Sequence, residues 1–154
     1  MEMEEGSRIG DLTRRIFDAA AAGNWELIDG QYRAELAGCD GNQMAKVFLG
    51  YAGDENPNIR DAVATSLLAL KITDEKVKEE ALDVMMKMMK MAKGEKEAYS
   101  AGRAAVFLLE NRDNEKLGRK IERALLAFKK KVSKNDWREG LLDWIPELQG
   151  FLSK

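Results

Sequence analysis

The sequence predicts an all-α protein of about eight helices, arranged as antiparallel hairpins that stack on one another. A step of 39 residues maps one apolar helical pattern onto two others: Ile59, Ala62, Leu67 and Leu70, then Ala98, Ala101, Val106 and Leu109, then Trp137, Gly140, Ile145 and Leu148. The same step carries a second set, Leu82, Met85, Met86 and Met89, onto Ile121, Ala124, Leu125 and Phe128. Such a fixed period is typical of helical repeats, because each unit buries its apolar face against its neighbours. No segment alternates apolar and polar residues beside hairpin turn chemistry, so no strand is predicted.

The N-terminal region is predicted to form an atypical hairpin over residues 7–38. Residues 1–6 are acidic and carry no apolar face, so we expect them to fray. The first helix is predicted over residues 7–22, and Asn24 is the expected cap of a second helix that ends at Gly38. An atypical end unit is expected in a helical repeat, since its outer face contacts water.

Three more regular hairpins are predicted over residues 40–71, 73–111 and 114–150. Asn56 and Pro57 have the types expected at the cap and the first position of a helix, and Thr73 is the expected cap of the next one. Pro146 lies inside the last helical pattern and is expected to kink or shorten that helix. We expect the hairpins to form one domain over residues 1–154, with a core that includes Ile59, Leu67, Leu70, Val106, Leu109, Ile145 and Leu148.

Composition argues against most enzyme classes. The sequence contains no histidine, which removes the usual general base and the commonest zinc ligand. Cys39 is the only cysteine, so neither an internal disulfide nor a thiolate metal cage can form, and a reducing compartment fits it. The sequence therefore predicts a non-catalytic protein with no metal and no cofactor. Charges interrupt every apolar run before it reaches membrane-spanning length, so we expect no membrane segment and a cytoplasmic location.

The segment over residues 56–70, NPNIRDAVATSLLAL, resembles the second helix of a HEAT-type repeat. It has a turn proline, then Ile59 and Arg60, a small residue three positions later, and a closing pair of leucines. Residues 98–109 resemble a weaker copy, and the resemblance covers residues 40–150. It implies a right-handed α-α superhelix, with the second helices of the hairpins on the concave face. Some HEAT-like proteins are DNA glycosylases; Asp143 and Trp144 are the residues of the expected types here, but no further motif supports that activity.

The resemblance implies binding of a partner protein through the concave face, because extended concave surfaces are the common use of such arrays. The predicted contact residues are Arg60, Tyr99, Arg103 and Arg138, which lie off the buried stripe of the second helices. Arginine and tyrosine are enriched at interface hot spots. Simple surface ion pairs are the alternative interpretation of these arginines. The partner is predicted to be an unidentified protein, and an acidic segment would suit it.

Charge asymmetry supplies a second hypothesis, nucleic-acid binding. Residues 1–77 carry a net charge of −6 and residues 78–154 a net charge of +4. The positive charge is concentrated in eight residues: Lys116, Arg119, Lys120, Arg123, Lys129, Lys130, Lys131 and Lys134. These cations could contact phosphates or an acidic protein, and an ordinary solvated helix face explains them as well.

The methionine-rich stretch over residues 85–91 allows two interpretations. Met85, Met88, Met89 and Ala92 fit a buried helix face, whereas Met86 and Met91 cannot share that face with all of them. One or two exposed methionines could form an adaptable binding surface. The tryptophans Trp25, Trp137 and Trp144 are predicted to pack between helices.

Overall fold

The computed structural model describes residues 5–153, and only the backbone of Glu5. Within this range the chain forms nine helices and no strand, so the all-α prediction is confirmed. In chain order they are α1 (Glu5–Ala21), α2 (residues 25–37), α3 (Gly41–Leu49), α4 (Pro57–Leu68), α5 (Glu75–Met91), α6 (Glu95–Leu109), α7 (Gly118–Asn135), α8 (Arg138–Trp144) and α9 (residues 146–152). Residues 1–4, part of the segment expected to fray, lie outside the described residues. Gly6 belongs to α1, so this helix begins before the predicted start at Ser7.

Two of the helices are composite. In α2, a π-helical segment, Ile28–Tyr32, lies between the α-helical segments Trp25–Leu27 and Arg33–Ala37. Helix α9 begins with the 3-10 turn Pro146–Leu148 and continues as Gln149–Leu152. Pro146 has no backbone N–H and cannot continue α8, which ends at Trp144. The predicted effect of Pro146 is confirmed, and it divides the predicted eighth helix into two.

The helix caps agree only in part with the prediction. The Asn56 side chain accepts a hydrogen bond of 2.9 Å from the Asn58 N–H, directly before Pro57, as predicted. The predicted cap Asn24 makes no side-chain cap bond. Thr73 is not the cap of α5, because the helix begins two residues later, at Glu75; the Thr73 hydroxyl accepts a 3.0 Å hydrogen bond from the Asn42 amide.

Asp74 caps α5 instead of Thr73. Its carboxylate accepts hydrogen bonds from the N–H groups of Lys76 and Val77 at 2.9 and 3.1 Å. Replacing Asp74 with alanine is therefore expected to lower the free energy of unfolding by about 1 kcal/mol, because two N–H groups lose their acceptor. Asp74→Asn keeps an acceptor at the same place and should cost only a few tenths of that energy. Urea denaturation followed by circular dichroism measures both, and equal losses in the two variants would contradict the capping role.

Residues 5–153 divide into two compact units, and the boundary between them lies between Lys78 and Glu79, inside α5. In the first unit α4 packs against α1 and α3. Arg15 links α1 to α2, since its guanidinium donates to both carboxylate oxygens of Glu35 at 3.1 and 3.2 Å and lies 5.3 Å from the centre of the Tyr32 ring. The predicted hairpin 73–111 includes the boundary between the units. A single domain over residues 1–154 stays a prediction.

The second unit is built around α6, which contacts α7, α8 and α9. The close approach depends on Gly102, because a Cβ atom there would lie 2.8 Å from Ile145 Cδ1 and 2.9 Å from Leu141 Cδ2. Other small side chains on α6, including Ala101 and Ala105, are fully buried as well. Gly102 therefore lets α6 pack closely against α8 and α9.

The core prediction is confirmed for five of its seven residues. Those five are Ile59, Leu67, Val106, Ile145 and Leu148, all at most 9% exposed. Leu70 and Leu109 are only half-buried. Leu70 follows the end of α4, and Leu109 is the last residue of α6, so both lie at the margin of the enclosed core.

No helix in the part of the chain that the structure describes is both long and apolar enough to cross a membrane.

Candidate functional site

In the second unit, the part of α5 from Glu79 onwards lies beside α7, and the two enclose a groove of about 730 Å³. Helix α5 contributes Asp83, Met86, Lys87, Met89, Lys90 and Met91. Helix α7 contributes Lys120, Ala124, Ala127, Phe128 and Lys131. A volume of this size lies within the range of ordinary ligand-binding pockets.

Three polar contacts fix the direction of the two helices. In the turn just before α7, Lys116 Nζ lies 3.1 Å from Glu79 Oε2, and on α7 Lys120 Nζ lies 3.5 Å from Asp83 Oδ1. Further along both helices, Lys131 Nζ donates to the Lys90 carbonyl at 2.7 Å. The contacts advance in the same order along each helix, so α5 and α7 run parallel.

The floor of the groove is apolar. Met86, Met89 and Phe128 are at most 7% exposed, whereas Met91 at the rim is 55% exposed. Ala127 on the opposite rim is also exposed, so the groove opens to solvent. The two interpretations of the methionine stretch thus each hold in part: Met86 is buried in the groove floor, and Met91 is the exposed methionine.

Lys131 forms part of one wall and also caps α5. Its ammonium donates to the carbonyl oxygens of Met89, Lys90 and Ala92 at 3.0, 2.7 and 3.0 Å. These oxygens lie at the C-terminal end of α5, where a cation opposes the negative end of the helix dipole. Burial lowers the pKa of Lys131, and the charge of Glu97 opposes that shift. The ammonium therefore belongs to the frame of the groove and is not a mobile surface charge.

Charge along the groove is uneven. Asp83 is paired with Lys120 at one end. Lys87 and Lys90 are exposed towards the other end, and the ammonium group of neither makes a hydrogen bond or an ion pair with any residue the structure describes. The groove is therefore positive near the C-terminal end of α5.

The predicted basic cluster separates into two groups. Lys116, Lys120 and Lys131 are engaged with α5, and Lys129 lies 5.9 Å from the centre of the Phe151 ring. The second group is exposed on the outer face of α7 and has no partner within residues 5–153: Arg119, Arg123, Lys130 and Lys134. Leu126, 57% exposed, lies on the same face. Glu122 is engaged by Arg112 at 2.6 Å, and that hydrogen bond lowers the pKa of its carboxyl.

The predicted contact residues Arg60, Tyr99, Arg103 and Arg138 are divided between the two units. Arg60, in the first, is half-buried and donates to the Asp54 carbonyl at 2.7 Å. In the second, Tyr99 and Arg103 are half-buried on α6. The Tyr99 hydroxyl lies 3.5 Å from where a Cβ of Gly140 would be, beside the first turn of α8, which carries the exposed Arg138. Arg138 donates to the Ser153 hydroxyl at 3.3 Å.

The tryptophan prediction is wrong for Trp144. This side chain is 68% exposed, because Trp144 is the last residue of α8 and Pro146 prevents the helix from continuing. Trp137 is buried and Trp25 half-buried. Asp143 is exposed beside Trp144. The Cys39 thiol is half-buried and donates to the Glu35 carbonyl at 3.4 Å.

Residues 5–153 hold no group of three or more histidine, cysteine, aspartate or glutamate side chains that could bind a metal ion. Comparison with protein-family models, with curated proteins and with solved structures gave no match. The assignment of the candidate site therefore rests on its geometry and charge alone.

The groove is not predicted from the sequence, although the 39-residue step contains a signal for it. The 39-residue step that maps Met89 onto Phe128 joins two residues of the groove floor. A residue pair related by the repeat step lies at equivalent positions of successive units, and such positions become neighbours when units stack. The step was used only to predict core residues.

Proposed function

We propose that this protein is a non-catalytic protein-binding module and that its binding site is the groove between α5 and α7. The observation that carries the proposal is the open apolar floor of Met86, Met89 and Phe128 between rims that bear lysines. Interfaces commonly combine an apolar centre with a polar rim. Burial of the exposed Met91 and Ala127 supplies the driving force, and the flexible thioether of Met91 can adjust to its ligand.

The proposal includes the architecture of the protein, which is a HEAT-like array of stacked helical hairpins. Residues in contact between α5 and α7 are 37 to 42 positions apart in sequence. This separation supports stacking of successive units with a period of 39 residues, in a right-handed α-α superhelix. The groove is then formed by the first helices of two hairpins, and not by the second helices that carry Tyr99, Arg103 and Arg138. A cytoplasmic location belongs to the proposal as well.

Nucleic-acid binding is the second candidate. The four outward cations of α7, Arg119, Arg123, Lys130 and Lys134, favour it, since phosphates are bound mainly through such charges. The other half of the basic cluster is engaged within the protein, so only part of the cluster is available to phosphates. Protein binding uses both the apolar floor and the charged rim, and is preferred for that reason.

Filling the groove is expected to weaken partner binding strongly. We would select a displayed library of natural protein fragments against the parent protein, then measure binding of the enriched fragments to Ala127→Trp. Ala127 is exposed at the rim, so the indole can occupy the groove without disturbing the core. Blocking an apolar binding centre should weaken binding at least about tenfold, a difference of roughly 1.4 kcal/mol.

The matched control is Ser133→Trp, an exposed position on α7 that does not line the groove. It should retain the affinity of the parent. Enriched fragments that bind Ala127→Trp as tightly as the parent would place the binding surface elsewhere and overturn the proposal. Circular dichroism of both variants establishes that the helices are intact.

A further inference from the structure

We propose that the ligand of the groove is an acidic amphipathic helix of a partner protein. This inference rests on the proposed protein-binding function and adds the chemistry of the partner. The apolar side chains of that helix lie between Met91 and the alanines Ala124 and Ala127, above the floor of Met86, Met89 and Phe128. Its carboxylates lie against Lys87 and Lys90.

The dimensions of the groove suit a helix. Its lining residues extend from Asp83 to Met91 on α5 and from Lys120 to Lys131 on α7. At a rise of 1.5 Å per residue these segments are about 12 and 17 Å long, which corresponds to two to three helical turns. The small side chains of Ala124 and Ala127 on the α7 wall allow a third helix to approach closely, since interhelical distance depends on the side chains at the contact.

The apolar floor determines the pattern of the ligand. A helix that binds in an apolar groove uses side chains at i, i+3 or i+4, and i+7, which project from one face. The floor runs from Met86 to Met89 on α5 and includes Phe128 on α7, so it can contact two or three such anchors. The exposed Met91 extends this surface at the rim and can repack around anchors of different shape.

The charged side chains of the groove lining determine whether the ligand is acidic or basic. Lys87 and Lys90 project beside the floor without an acidic partner among the residues described. The one carboxylate of the lining, Asp83, is neutralised by Lys120 at 3.5 Å. Lys131 covers three carbonyl oxygens at the end of α5, so the negative end of that helix dipole does not repel an anion. An acidic helix is attracted and a basic one is repelled.

The charges also determine where the acidic residues bind. The uncompensated lysines lie near the C-terminal end of α5, and the paired Asp83 lies about one to two turns earlier. Carboxylates of the ligand are therefore concentrated over Lys87 and Lys90. The outward cations Arg119, Arg123, Lys130 and Lys134 add to the positive field of α7 and raise the rate of encounter with an acidic ligand.

The probe is a fluorescent peptide of about 14 residues, stapled on its solvent face because isolated helices of this length are marginal in water. It carries leucines at i, i+4 and i+7 and glutamates beside them on both flanks. Companion peptides replace all glutamates with glutamine or with lysine. Fluorescence anisotropy with the full chain should show the glutamate peptide binding at least about tenfold tighter than the glutamine peptide, and the lysine peptide weakest. Raising the salt concentration should weaken only the glutamate peptide.

The test variant is Lys87→Glu with Lys90→Glu, which should weaken the glutamate peptide about tenfold or more and improve the lysine peptide. The control variant is Lys76→Glu with Lys96→Glu, which makes the same change of charge at exposed lysines outside the groove lining and should alter affinity less than about twofold. The salt dependence of glutamate-peptide binding to the parent protein is a second test of the charge interaction, and it needs no variant.

Three results would overturn the inference. Equal binding of the glutamate and glutamine peptides, with both lost in Ala127→Trp, would leave protein binding intact and remove the acidic specificity. Binding of the glutamate peptide that Ala127→Trp does not weaken would place the acidic ligand outside the groove. Displacement of the peptide by a short DNA or RNA duplex at physiological salt would assign these cations to nucleic acid.

Discussion

Replacing Leu67 with alanine is expected to lower the free energy of unfolding by about 2–5 kcal/mol. Leu67 is fully buried on α4, the helix that packs against α1 and α3 in the first unit. Removing its isobutyl group forfeits the burial of apolar surface and leaves a cavity that the surrounding helices can fill only partly. Chemical denaturation followed by circular dichroism at the helical bands measures the loss.

The matched control is Leu126→Ala, the same chemical change at a leucine that is 57% exposed on α7. It should change stability by less than about 0.5 kcal/mol, because little apolar surface is buried there. A loss under about 0.5 kcal/mol for Leu67→Ala would show that this position is not part of a packed core.

Replacing Gly41 with alanine is expected to cost about 3 kcal/mol, at the upper end of ordinary overpacking. Gly41 is the first residue of α3, and a Cβ atom there would overlap the carbonyl oxygen of Lys71 and lie 2.7 Å from its carbonyl carbon. The obstacle is backbone and not the end of a flexible side chain. Relief therefore requires the start of α3 to move away from the segment after α4, which would strain the hydrogen bonds between Asn42 and residues 73 and 74.

Gly10→Ala provides the comparison. Gly10 lies inside α1, and a Cβ atom there meets nothing within 4 Å. Alanine should therefore stabilise the protein by about 0.5–1 kcal/mol through its higher helix propensity. Thermal unfolding should move in opposite directions for the two substitutions. A Gly41→Ala variant as stable as the parent would show that the close approach to Lys71 is absent in solution.

The helices could be predicted from the sequence because their signals are local. The apolar period, the Asn56 cap and the break at Pro146 each depend on residues a few positions apart, and all three agree with the structure. The errors arise where a distant residue competes. Thr73 has the chemistry of a cap, but Asn42, 31 residues earlier, engages its hydroxyl and leaves the capping role to Asp74. A local sequence pattern cannot show a contact between residues so far apart in the chain.

The margins of the core could not be predicted for a similar reason. The repeat step places Leu70, Leu109 and Leu148 at equivalent positions, yet only Leu148 is fully buried. Periodicity states which face of a helix is apolar, and it does not state how far the neighbouring helices extend over that face. Trp144 shows the same limit, since its place at the end of α8 leaves a large aromatic ring exposed.

The candidate groove could not be predicted from the sequence, and the reason is geometric. Its floor combines residues of two helices that are about 39 positions apart, and its charge depends on which lysines are engaged elsewhere. Lys87 and Lys131 look alike in the sequence. In the structure Lys87 projects beside the groove, while Lys131 is held by three carbonyl oxygens. Only the folded arrangement distinguishes a cation that can bind a ligand from one that supports the frame.

The dual position of Lys131 creates a thermodynamic linkage. The same ammonium completes the last turn of α5 and lines the groove, so local fraying of that turn and occupation of the groove share one side chain. A ligand that packs against Lys131 would suppress this fraying and slow amide hydrogen exchange at the end of α5, and a change that loosens the turn would in turn weaken binding of that ligand. Acylation of this one amine would remove its charge and so act on both equilibria at once.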